Sequence, residues 1–207
     1  MEKGERENVY KVYDIIASWF FKSRDTSLFE KSYLDDVISH LPADATFLDL
    51  GCGTGMPILK YFIDKKFNVT GVDASNQMLE IAKSNFPQIE FISQDMRMLN
   101  LNRKFNAIIA WHSFFHLPPS DQPAMFQRFE EHLKPDGILL FTSGVFFGEV
   151  WSVNGGEKLF HGSLDSGEYE NLLKKHHFRV LKHKKNDPDC RDATVWMAKY
   201  IGGSALY

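Results

Sequence analysis

The chain has 207 residues, 43% apolar and 25% charged, a balance that excludes global disorder and fits one globular domain with a full core. Its formal charge of −3 argues against a broad polyanion-binding face, so nucleic acid is not an expected partner. The two cysteines, Cys52 and Cys190, have no zinc-type companions; they exclude a disulfide framework and suggest no metal site.

Residues 1–8 are hydrophilic and carry no apolar signal region, and the most apolar stretches, 105–110 and 138–141, are far too short to span a membrane. With reduced thiols, these features lead us to expect a cytoplasmic protein. Two helical patterns come first. Residues 9–21 are rich in apolar and aromatic side chains. Leu28, Tyr33, Leu34, Val37, Ile38 and Leu41 then recur at helical spacing until Pro42 ends the pattern. Together they predict an N-terminal helical cap over residues 1–42.

From Thr46 the texture changes. Strands are predicted at 46–50, 68–72, 89–92, 105–110 and 138–142, with helices near 58–64, 76–85 and 122–133 between them. That alternation predicts an α/β, doubly wound, Rossmann-like parallel sheet over residues 43–200, within a single domain 1–207. Residues 143–163 form a long glycine-bearing excursion, read as a lid or binding loop at the active site. A helix should start at Asp165, with Glu168 completing a capping box and Leu164 and Tyr169 placed as a hydrophobic staple. Strands at 178–183 and 194–199 follow. The segment between them is too short for a parallel crossover, so they should pair antiparallel.

Residues 47–57 read Phe-Leu-Asp-Leu-Gly-Cys-Gly-Thr-Gly-Met-Pro, a strand entering a glycine-rich turn and then a helix. Gly51, Gly53 and Gly55 let the backbone turn tightly and approach a ligand. Asp49 would repel a pyrophosphate held over this turn, which opposes a dinucleotide. A ligand with an amino-acid head offers Asp49 an ammonium and the turn's backbone N–H groups a carboxylate. S-adenosylmethionine has both and no phosphate. Asp73, after Gly71-Val72, is placed to accept from a ribose diol. Asp95 is placed to accept from an adenine amino group, with Met96 as an apolar wall.

The segments Leu-Asp-Leu-Gly-Cys-Gly-Thr-Gly, Gly-Val-Asp-Ala-Ser-x-x-Met-Leu and Gln-Asp-Met resemble the class I S-adenosylmethionine-dependent methyltransferase family, over roughly residues 46–199. The resemblance implies a seven-stranded, mostly parallel sheet whose last strand is antiparallel. It assigns Asp49, Gly51, Cys52 and Gly53 to the methionine part, Asp73 and Ala74 to the ribose, and Asp95 and Met96 to the adenine. Met78 and Trp111 join the expected cofactor contacts. In similar methyltransferases the N-terminal segment also covers the cofactor, which adds Tyr13 and Trp19.

Methyl transfer needs alignment, exclusion of water and, for some nucleophiles, a base. The fourth strand runs into Ala-Trp-His-Ser-Phe-Phe-His-Leu at 110–117, so His112 and His116 are candidates for the base, with His161 as a third. No Asn/Asp-Pro-Pro-Tyr and no Pro-Cys follows that strand, which sets aside nucleic-acid amino and cytosine C5 chemistry. The expected partner is a small-molecule methyl acceptor. Two other readings stay open: a cofactor-binding protein without transfer activity, and an NAD-dependent dehydrogenase.

Overall fold

The computed structural model describes residues 2–202; Met1 and residues 203–207, the ends of the expected 1–207 domain, lie outside the described residues. Three helices come first: α1 (Glu2–Glu7), α2 (Val9–Ser23) and α3 (Lys31–Ser39). The α/β part opens with β1 (Thr46–Leu50), α4 (Ile58–Asp64), β2 (Asn68–Asp73), α5 (Asn76–Asn85), β3 (Glu90–Ser93) and β4 (Phe105–Ala110). It continues through α6 (Gln122–His132), β5 (Leu133–Ser143), α7 (Ser166–Lys175), β8 (Phe178–Asp187) and β9 (Ala193–Tyr200), with β6 (Gly148–Asn154) and β7 (Glu157–Ser163) standing apart.

The main sheet has seven strands in the order β3-β2-β1-β4-β5-β9-β8. The pairings β1–β2, β1–β4, β2–β3 and β4–β5 are parallel, and β9 runs antiparallel to both β5 and β8. This is the doubly wound sheet with one reversed strand that the sequence pattern implies. The strands read as continuous apolar runs because helices cover both faces. One face packs Phe47, Ile109 and Leu140 against α3, α4 and α5. The other packs Leu48, Ile108, Phe126 and Phe141 against α6 and α7. The strand order reverses between β1 and β4, so the carboxyl ends of those strands diverge and open a crevice there.

Three local features aim the site. Asp14 on α2 accepts from Ser75 Oγ (2.7 Å) and from the Gln77 N–H (3.1 Å), tying the cap helix to the first turn of α5. The capping box on α7 is complete: Asp165 accepts from the Glu168 N–H and Glu168 from the Asp165 N–H. The excursion 143–163 differs from the expected loop, for residues 148–163 form the β6–β7 antiparallel hairpin, turned at Gly155-Gly156. Its inner side packs Leu159 and Phe160 onto Val9, Val12 and Ile16 of α2. That apolar contact orders a segment whose length and glycines suggest a lid or binding loop. The fifth strand also starts earlier than expected, because Leu133 pairs with Phe105 ahead of a register irregularity.

Candidate functional site

At the carboxyl ends of β1, β2 and β4 lies a cavity of about 310 Å³, roofed by α2 and the β6–β7 hairpin, within the usual size of small-molecule sites. The glycine turn after β1 forms its floor. Gly51 and Gly53 both have positive φ, 78° and 53°. A Cβ on Gly51 would lie 2.2 Å from Ser113 Cβ, whereas one on Gly53 would meet nothing within 4 Å. The first glycine is therefore demanded by packing and the second faces open space. Ser113 is held there by donating to the Leu50 carbonyl at 2.6 Å.

The turn's own N–H groups correct one expectation. Gly51 and Cys52 both donate to the Val72 carbonyl (2.7 and 3.1 Å), and Gly53 donates to Asp73 Oδ2 at 2.8 Å. All three are spent inside the fold, so they are not free donors for a carboxylate. Arg24 stands just past the end of α2. It lines the cavity, and its Nε is buried without a partner among the described residues. Sequence reasoning missed Arg24, since an arginine just past a helix end ordinarily reads as a solvated cap.

Asp49 is 4% exposed on this floor. Burial, then the nearby charge of Asp73, pushes its carboxyl up to about 7, while Arg24 pulls the other way. Asp73 accepts from the Gly53 and Ser75 N–H groups, both at 2.8 Å, and burial raises its carboxyl despite them. A carboxylate has about four lone-pair positions, so two remain for a diol. Asp95 also lines the cavity, but its oxygens take the Arg97 Nε and Nη2 groups and the Arg97 N–H, and Arg97 reaches on to Asp121 at 3.1 Å. Its accepting capacity is thus largely used by its own neighbour. Met96, Ala74, Met78 and Trp111 all lie on the cavity wall. Cys52 is buried there, its thiol pushed well above its usual range by burial, a packed group and not a nucleophile.

The three histidines converge on this cavity. The His116 and His161 ring centroids are 4.9 Å apart, and Phe115 stands against both His112 and His161. His116 Nδ1 lies 2.9 Å from the Phe160 carbonyl, which can only accept, so Nδ1 carries the proton. Its Nε2, 2.9 Å from Tyr13 Oη, is then the acceptor and the tyrosine donates. Burial, with the charge of His161 next, lowers His116 to about 3. His112 opens into the cavity yet is closely surrounded by protein, and burial lowers it to about 4. His161 is lowered by burial and sits 2.8 Å from Ser152 Oγ. All three imidazoles are neutral near pH 7.

Of the two aromatic residues expected from α2, Tyr13 lines this cavity and Trp19 does not. Trp19 lines an adjoining cavity and packs at the hairpin turn, where a Cβ on Gly155 would lie 2.9 Å from its ring. Among the described residues no cluster of side chains suited to a metal ion occurs, and no helix is long and apolar enough to cross a membrane.

Comparison with known proteins agrees with this geometry. Residues 47–137 match the methyltransferase domain family profile. The chain is 36% identical over 103 residues to dTDP-3-amino-3,6-dideoxy-alpha-D-glucopyranose N,N-dimethyltransferase of Streptomyces fradiae, covering 49% of this chain and 40% of that one. It is 30% identical over 145 residues to dTDP-3-amino-3,4,6-trideoxy-alpha-D-glucopyranose N,N-dimethyltransferase of Streptomyces venezuelae, covering 68% of this chain and 60% of the relative. The chain thus spans about half the length of these curated relatives. A solved structure of an S-adenosylmethionine-dependent methyltransferase from Clostridium acetobutylicum superposes with a TM-score of 0.72 at 19% identity, over 93% of this chain and 98% of the other, which establishes the shared fold. With the motifs at 49–55, 71–79 and 94–96 lying at one end of that fold, residues 47–137 carry a methyltransferase domain similar to those of the class I S-adenosylmethionine-dependent methyltransferase family.

Proposed function

We propose that this chain binds S-adenosylmethionine across the ends of β1–β3 and transfers its methyl group to a small molecule. The observation that carries the reading is a pair of opposite charges on the cavity wall. Asp49 is a buried carboxyl, Arg24 a buried guanidinium nitrogen without a partner, and no ion pair joins them among the described residues. An amino-acid head group supplies the ammonium that Asp49 needs and the carboxylate that Arg24 needs. Asp73 has lone pairs left for a ribose diol, Met96 and Met78 give apolar contact to a base, and the open space at Gly53 admits the chain between them.

When bound, S-adenosylmethionine supplies a sulfonium methyl group. The residues do the rest by placement. Trp111 and Phe115 exclude water at the β4 end, and Tyr13 and His116 hold each other through one hydrogen bond that fixes α2 over the cavity. A His116 lowered to about 3, with Nε2 already accepting, is a weak base. His112 is the freer candidate: its backbone N–H donates to Thr142 Oγ1, but no hydrogen bond to its imidazole is present among the described residues. The Streptomyces relatives, named as acting on the amino group of dTDP-linked sugars, support a small-molecule acceptor.

Calorimetry with S-adenosylhomocysteine tests the reading, with NAD as the competing ligand. Binding of S-adenosylhomocysteine by the wild type, weakened roughly 10- to 100-fold in Asp49→Asn, is expected, because hydrogen bonds to charged groups contribute about 1.5–3 kcal/mol. Binding of NAD alone would overturn it. Conversion of S-adenosylmethionine to S-adenosylhomocysteine with a metabolite extract then separates transfer from mere capture.

A further inference from the structure

A second cavity of about 240 Å³ adjoins the first along Phe20, Arg24, Trp111, His112 and Asn154. It is bounded by the end of α2, residues 25–30, the end of β4 and the β8–β9 turn. Its aromatic walls are Trp19, Phe20, Phe29 and Trp111. Its charged groups are Arg24, Asp25, Glu30 and Arg191.

These two guanidiniums and two carboxylates are not all paired. Arg191 pairs with Asp25 and lies over the Phe29 ring, 4.1 Å from its centroid. Arg24, in the reading above, takes the carboxylate of the cofactor. Glu30 remains. It is 5% exposed, and among the described residues no side chain donates to it. Burial raises its carboxyl above the usual range, with Arg24 and Arg191 opposing. Its only donor is its own backbone N–H, and a buried carboxylate with no side-chain partner is costly until one arrives. Phe20 and Phe29 already face Arg24 and Arg191, which leaves Trp19 and Trp111 as the aromatic faces that attract a further cation.

We infer that the second cavity is the acceptor chamber and that Glu30 is its charged anchor, selecting a small amine that enters as its ammonium. The assignment of the neighbouring cavity to cofactor rests on the methyl-transfer reading; the preference for a cation rests on Glu30 and the aromatic walls. An ammonium must shed a proton before its nitrogen can accept a methyl group. Glu30 is placed to receive that proton: an N–H bond breaks, an O–H bond forms, and the electron pair stays on nitrogen as the lone pair.

Three probes of one size and different charge test this: benzylamine, benzyl alcohol and benzoate, each titrated at pH 7.5 into the unliganded protein and into protein saturated with S-adenosylhomocysteine. The expected result is that benzylamine binds at least tenfold more tightly than the other two. Glu30→Gln should abolish that preference in a protein that still binds S-adenosylhomocysteine. Equal or tighter binding of benzoate, no binding of any probe, or a preference that survives in Glu30→Gln overturns the inference. If S-adenosylhomocysteine itself fails to bind, the methyl-transfer reading falls, and the titrations of unliganded protein still decide the role of Glu30. Should Glu30→Gln not fold, the wild-type ranking and Glu30→Asp, which shortens the reach of the carboxylate and should weaken benzylamine alone, decide it.

Discussion

Asp49 shows how one residue can couple cofactor capture to protons. Its carboxyl is held near 7 by burial and by Asp73, far above the usual aspartate value of about 3.9. An ammonium bound beside it favours the ionised form, so the free protein must release a proton when it binds at lower pH. The sign follows: affinity for S-adenosylhomocysteine should be constant above about pH 7.5 and fall by up to tenfold per unit below 7. Calorimetry from pH 5.5 to 8, in buffers of different ionisation enthalpy, reads both the slope and the proton released. Asp49→Asn should bind weakly at every pH and lose the slope. An unchanged slope in that variant would assign the proton to another group, with Asp73 the next to test because burial raises it as well.

Among the elements, the glycine turn separates two jobs that sequence alone could not divide. Gly51→Ala puts a methyl group 2.2 Å from Ser113 Cβ at a φ of 78°, so it should destabilise the fold and lower the melting temperature. Gly53→Val points into open space at a φ of 53°, and the left-handed conformation itself costs about 1–2 kcal/mol. That variant should stay folded and lose S-adenosylhomocysteine binding, a contrast that paired thermal melts and calorimetry would reveal. Equal loss of stability in the two would show that both glycines serve packing. The strand-turn-helix at 46–64 was legible because apolar runs, glycines and helical spacing all agree there. The β6–β7 hairpin was less so. Gly155-Gly156 is a hairpin signal, yet the length of the excursion and its other glycines favoured a loop, and Leu159 and Phe160 find their partners only on α2, far away in sequence. The spent N–H groups of Gly51, Cys52 and Gly53 and the paired Asp95 were invisible for the same reason: spacing places a residue near a site without saying what has already used it.

Over the whole molecule, titratable groups lining the cavity shift in opposite directions and so contribute with opposite sign to the response to acid. His116 at about 3 and His112 at about 4 lie below the ordinary imidazole value of about 6.5. As pH falls from 6.5, the unfolded chain takes up protons that the folded one refuses, so these groups contribute stability that is lost toward 3–4. Asp49 has the opposite sign. Its folded value near 7 lets the native state take up a proton first, which adds stability as pH falls from 7 toward 4. The two trends overlap between about 4 and 6.5, where two histidines oppose one aspartate, so the wild type should lose stability with acid more gently than the histidines alone would make it. Single variants should separate them. Between pH 7.5 and 5, His116→Gln removes a group whose burial favours the higher pH by about 2 kcal/mol, and Asp49→Asn one that favours the lower pH by a similar amount. Urea melts at the two pH values measure the difference directly. That difference, stability at 7.5 minus stability at 5, should become more negative in His116→Gln and more positive in Asp49→Asn. Variants that both keep the wild-type difference would mean that neither buried group changes its proton occupancy on folding, and that the acid response comes from surface pairs such as Asp35 with Lys31 and Tyr61, whose hydrogen bonds hold that carboxyl down at about 2.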